Sequence, residues 1–126
     1  MTAISGTIDN DGFWPDIGLR AVAAALGLEH MPPARLERGV LDAMVEVNRL
    51  LHPFKQRSRA EGYITLEHIP SASIEPTADL PLLYRRALYC QAGATLCHRW
   101  ARRCRATAAD YQHSRDEAIY LLLRQA

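Results

Sequence analysis

Long apolar runs are missing from this sequence, and so is almost every lysine. No stretch reaches the ~18 apolar residues that cross a bilayer, so no membrane partner is expected. The N-terminus lacks a basic stretch followed by an apolar core, which argues against a secretory signal. G-x-G-x-x-G, G-x-S-x-G, H-E-x-x-H and the phosphate-binding loop are all absent. Carboxylates are spread singly apart from Asp116–Glu117, which suit the start of a helix dipole. The histidines (His30, His52, His68, His98, His113) are scattered, none at ligand spacing from a cysteine or carboxylate. An enzyme, a cofactor and a metal site are therefore not expected.

What is present is an ordinary globular composition. The 126 residues are 48% hydrophobic and 23% charged, which suits one domain with a modest core. Residues 1–15 are the exception: polar, with Gly, Asp and Asn and no helical period, they read as an extended arm before a helical domain over 16–126. Phe13 and Trp14 in that arm are either a staple onto the core or anchors for a partner, since aromatics are enriched at binding hot spots.

Apolar spacing predicts four helices, hence an all-α fold. The first, about Asp16–Leu26, carries Leu19, Val22, Ala23 and Leu26 on one face, with Gly27 as its stop. The second opens at Pro32–Pro33, kinks or breaks at Pro53 and ends near Ala60. A connector over 63–79 has room for one turn at Leu66–Ile69. The third helix, about Leu80–Arg105, repeats small residues at alternating steps of three and four: Leu83, Ala87, Cys90, Ala94, Cys97, Ala101 and Cys104. On a continuous helix two such cysteines lie ~10.5 Å apart along the axis, too far for a disulfide or a shared metal. They are read as reduced, buried seam residues of a cytoplasmic protein. The fourth helix follows a capping pair, Thr107 and Asp110, and runs to about Arg124. Ile119, Leu122 and Leu123 lie in a stretch apolar all round, which predicts contact with more than one neighbour, ring partners included.

Charge is uneven although the net is +1. Fourteen of the fifteen basic residues are arginine, and between Asp79 and Asp110 there are six arginines and no acid. Arg99, Arg102, Arg103 and Arg105 form either a solvated face or a surface for phosphate or an acidic neighbour, because guanidinium forks to both.

Three stretches together resemble the head completion proteins (the GPL family) of contractile-tailed temperate phages and their prophage relatives. Phe13-Trp14-Pro15-Asp16-Ile17 resembles the family's opening. Pro33-Ala34-Arg35-Leu36, running through Ala43-Met44 to Asn48, resembles its second helix, followed by Gly62-Tyr63 and Leu66-x-x-Ile69-Pro70. Tyr84-x-Arg86-Ala87, Ala92-x-Ala94-x-Leu96 and Arg99-Trp100-x-Arg102 resemble its third. The resemblance implies a helical fold like the connector adaptors. Such subunits form a ring, usually of twelve identical copies, beneath the portal protein in the virion neck. They extend the channel for packaged DNA and prepare the head for a tail-side neck or terminator protein, after assembly in the bacterial cytoplasm. The competing reading is a small helical DNA-binding or regulatory protein using Arg99–Arg105. A recognition helix normally follows a short turn, whereas this basic stretch falls late in a long helix.

Overall fold

Prolines and glycines divide the chain into its elements. A computed structural model describes residues 4–70, 79–99 and 104–124, the side chains of 98 and 99 excepted. Its order is β1 (Thr7–Ile8), β2 (Ile17–Gly18), α1 (Leu19–Leu26), α2 (Pro33–Leu50), α3 (His52–Ala60), a 3-10 turn (Leu66–His68), α4 (Leu80–Arg99) and α5 (Ala108–Leu123). Gly27 ends α1 with φ 75°, a left-handed conformation that glycine adopts without a Cβ penalty. Leu51, fully buried with φ −96° and ψ 7°, separates α2 from α3. Pro53 then sits in the first turn of α3, where its missing amide needs no partner. Thr107 and Asp110 make the reciprocal capping box of α5. The described residues are thus mainly helical, as an all-α reading requires. They hold five helices where four were expected, since Leu51 splits the second into two.

The expected extended arm is corrected by a hairpin. Ile8 pairs with Ile17 and Thr7 with Gly18, antiparallel, and the Leu19 amide donates to the Gly6 carbonyl at 3.0 Å. Ile4, Ile8, Phe13, Trp14 and Ile17 all belong to the one buried core. The reason lies in the connecting loop, whose Asn10, Asp11 and Asp16 side chains bond back to its own backbone. Asparagine and aspartate close turns in this way.

The expected third helix through Arg105 is also corrected. Residues 104–106 are bends, and the Cα atoms of Cys97 and Cys104 lie 5.9 Å apart where a continuous helix would hold them ~10.5 Å apart. The chain turns back at this corner, so that α5 runs antiparallel beside α4. Arg86 meets Ser114 and Glu117 near one end of the pair, and Gly93 meets Tyr111 nearer the other. On its opposite side α4 packs against α2, with Tyr84 beside Asn48 and Leu96 over Gly39. Helix α4 is therefore buried broadly, by Tyr84, Leu88, Ala92 and Leu96 as well as Ala87, Cys90 and Cys97, and not along one narrow seam.

Two glycines set how closely these helices approach. A Cβ on Gly93 would come within 2.8 Å of the Tyr111 ring, and one on Gly39 within 2.8 Å of the Leu96 methyls. Alanine favours a helix over glycine by ~1 kcal/mol, while overpacking costs about 1–3 kcal/mol. The rigid ring held between α4 and α5 cannot yield, whereas the Leu96 methyls can rotate toward the groove that they border. Gly93→Ala is expected to destabilise the protein by about 1–2 kcal/mol, and Gly39→Ala to be near neutral. Urea unfolding of the two variants beside the parent checks the difference.

Candidate functional site

The hairpin loop is held by side chains distant in sequence. Asn10 donates through Nδ2 to the Pro15 carbonyl and to the Tyr84 hydroxyl, both at 2.9 Å. Tyr84 in turn donates to Asn48 Oδ1 at 2.5 Å, and Asn48 Nδ2 donates to Asn10 Oδ1 at 2.9 Å. The three side chains close a ring of hydrogen bonds joining loop, α2 and α4. Trp14 lies flat on Tyr84, with ring centroids 4.6 Å apart and planes 10° apart, and stacks on Phe54 of α3 at 5.9 Å. Burial pushes the Tyr84 phenol upward, against its hydrogen bonds with Asn10 and Asn48, so the hydroxyl stays protonated and serves as the donor to Asn48.

Asp11 anchors the same loop. Its Oδ1 accepts the amides of Phe13 at 3.0 Å and Trp14 at 3.1 Å, while Oδ2 takes the ammonium of Lys55 at 2.6 Å. Lys55 is the sole lysine of the chain. Burial raises the Asp11 pKa, but the Lys55 hydrogen bond and the two amides outweigh it and hold the carboxyl below its ordinary 3.8. The Leu66 amide donates to the Phe13 carbonyl at 3.0 Å and ties the connector to this knot.

A second polar region lines the α4–α5 hairpin. Arg86 reaches Ser114 Oγ at 2.9 Å and Glu117 Oε1 at 2.9 Å; that hydrogen bond lowers the exposed Glu117 carboxyl. Arg115 donates to Gln91 Oε1 and to its neighbour Asp116. Arg105 turns toward α1, with its guanidinium on the Ala24 carbonyl at 3.1 Å and 3.9 Å from Glu29. Cys97 and Cys104 are joined by a disulfide, a correction to the expectation of three reduced seam thiols. The expectation presumed a helix that does not exist across this corner. Cys90 is free and buried. Ala101, Arg102, Arg103 and the Arg99 side chain lie outside the described residues.

A family model, phage head completion protein (GPL), matches residues 8–126. The chain belongs to this family. No curated protein and no solved structure matches it. Its part in the phage is accordingly structural, in completing the head.

Several residues of the stretches that resemble head completion proteins build the core, among them Ile17, Leu36, Tyr84 and Leu96. Phe13 and Trp14 are buried at 3% and 2% exposure, so they staple the hairpin and present no face to a partner. Ile119 and Leu122 are buried as well and Leu123 is half-buried, against α4 and the end of α3, where Arg57 bonds the Leu123 carbonyl at 3.1 Å. Ile119, Leu122 and Leu123 thus pack within the chain, while Tyr120 of the same stretch is left exposed. Leu83 and Ala94 are half-buried at the margins of α4. Among the described residues, the large apolar side chains left exposed are Leu41 and Val45 on α2, Ile64, Leu82 and Tyr120, of which only Tyr120 falls in a stretch expected to make outside contacts. Leu41 and Val45, one turn apart among charged neighbours, are too few to register as a stripe. An open groove of about 650 Å³ also lies between α2 and α4, floored by Gly39 and Leu96 and rimmed by Arg35, Arg38 and Asp42. Among the described residues no group of three metal-binding side chains forms, and no helix is long and apolar enough to cross a membrane.

Two measurements test the knot. Tyr84→Phe leaves Asn10 and Asn48 short of a buried partner, and a stability loss of about 1–3 kcal/mol is expected in urea titration. For Asp11 the folded pKa is depressed, so its contribution is present above about pH 4 and disappears as the pH falls through the lower folded value. The Tm gap between the parent and Asp11→Asn should accordingly be open at pH 6 and narrow as the pH falls below 3.8.

Proposed function

We propose that this head completion protein is a connector subunit. A ring of identical copies, twelve in number, docks beneath the portal protein, extends the channel for packaged DNA and prepares the head for a tail-side neck or terminator protein. Family membership over residues 8–126 carries the reading. The fold adds physical support. A closed head-to-tail ring needs two different surfaces on each subunit, and exposed apolar side chains here lie on separate elements: Leu41 and Val45 on α2, Leu82 on α4, Tyr120 on α5. Each group is small, which suits subunits that stay apart in dilute solution and join on a template. Arg99, Arg102 and Arg103 are the candidates for the channel or for an acidic neighbour; Arg105 is already occupied by α1. The ring belongs to the virion neck and is assembled in the bacterial cytoplasm.

The alternative, a regulatory DNA-binding protein, has less support. Helices α4 and α5 lie side by side and antiparallel, whereas a helix-turn-helix crosses at a steep angle to free its second helix.

The isolated protein should sediment mainly as monomer and should co-sediment with portal-containing heads; an obligate large oligomer in isolation would refute the proposal. Val45 is 71% exposed, so Val45→Glu should shift Tm by no more than about 2 °C. The same change should lower the copies per filled head, counted by mass spectrometry, if α2 faces a neighbour. Arg102→Glu with Arg103→Glu separates the two arginine roles. Normal docking with DNA leaking from filled heads assigns them to the channel, and lost docking to a neighbour.

A further inference from the structure

We infer that Cys97 and Cys104 are a reversible redox pair, open as dithiols while the subunit is assembled and closed afterwards to lock the corner between α4 and α5. The timing rests on the assembly reading above; the chemistry of the pair does not. Cytoplasmic thiols are kept reduced, and a disulfide is rare in that compartment. A chain folded there and later carried out in a particle meets both conditions in turn.

The corner brings the two sulfurs together by contacts other than the bond. Cys97 is 1% exposed in the last turns of α4, held by the packing of that helix between α2 and α5. On the far side of the turn, the Arg105 amide donates to the Leu26 carbonyl at 3.4 Å and its guanidinium to the Ala24 carbonyl at 3.1 Å. Thr107 and Asp110 then start α5. These contacts need no disulfide, so reduction leaves the Cα atoms near their 5.9 Å separation, within reach for the bond to form again. Cys90 is free and buried, and it precedes Cys97 by two turns on the same helix, ~10.5 Å away and too far to pair with it.

Access is asymmetric. Cys104 is half-buried and Cys97 is not reachable from solvent, so exchange enters at Cys104. With a low-molecular-weight disulfide such as oxidised glutathione as oxidant, the Cys104 thiolate attacks one glutathione sulfur and expels the other as a thiolate. Cys97, giving up its proton, then attacks Cys104 Sγ and expels the second glutathione. Two protein thiols are oxidised, one glutathione disulfide is reduced to two thiols, and the two protein protons pass to those thiols.

The test counts thiols. The full chain is expressed in a bacterial cytoplasm, quenched in acid, unfolded, and labelled with a maleimide polymer that adds a mass step per free thiol. Three steps are expected at once, and one step, Cys90, after the native protein has stood in oxidised glutathione. A single step straight from the cytoplasm would overturn the inference, and so would three steps after oxidation. The lock is read as Tm in parent protein, with no variant required: closing so short a loop should raise Tm by about 5–10 °C over the dithiol form. Equal values would show that the bond locks nothing. Cys104→Ser, expected to match the reduced parent in Tm, controls for other effects of the reductant, and a Tm that still rises in oxidised glutathione would also overturn the assignment. Failure of the chain to co-purify with filled heads falls on the assembly reading alone, because the thiol counts do not depend on heads.

Discussion

The fold turns on Tyr84. Its ring supports Trp14, its hydroxyl is clasped between Asn10 and Asn48, and through these it joins the hairpin loop, α2 and α4. Trp14 extends the same stack to Phe54 of α3, and the backbone beside it holds the connector at Leu66. A ribbon of two residues per strand has little stability by itself. What keeps it in place is the apolar area of its aromatics, together with a polar ring in which the side-chain amides and the hydroxyl satisfy one another. Hydrogen bonds of this kind add little net energy when made and cost much more when half broken. The knot therefore specifies one arrangement of five segments more than it adds to total stability.

Around that knot, close approach is the second constraint. Helix α4 lies between α2 and α5, and a glycine notch on each side lets a large side chain lie against bare backbone: Leu96 over Gly39, Tyr111 over Gly93. The apolar stripes are consumed inside the subunit. What remains outside is a set of separate apolar side chains amid arginines and acids, several already paired, as in Arg38–Asp42, Arg49–Glu46 and Arg86–Glu117. Surface pairs of this kind contribute little to stability.

Much of this was legible in the residues. The stop of α1 and the starts of α2 and α5 follow from Gly27, Pro32–Pro33 and the Thr107–Asp110 box, because capping and proline geometry are local. The break at Leu51 follows from Pro53 for the same reason. The start of α1, expected near Asp16, falls at Leu19 because Ile17 and Gly18 pair in the hairpin. The hairpin had a signal too, in Asn10-Asp11-Gly12 between Ile8 and Ile17, but so short a ribbon leaves no period to count. The corner after α4 left none: the step of three and four continues through Ala101 to Cys104, and periodicity cannot register a chain that reverses while its spacing persists.

By itself the sequence determined helical class, several helix limits and, through motifs spread from Phe13 to Arg102, membership of a head completion family. Those features depend on neighbours within a few residues or on residue order. Tertiary structure alone decided which apolar residues face inward and which are left over. Phe13, Trp14, Ile119 and Leu122 are as apolar as any contact residue, and only the path of the rest of the chain covers them. It also decided the state of the cysteines, since a disulfide depends on a distance in space. That distance was settled where Arg105 bonds to Leu26 and Ala24, on a helix some eighty residues earlier in the chain.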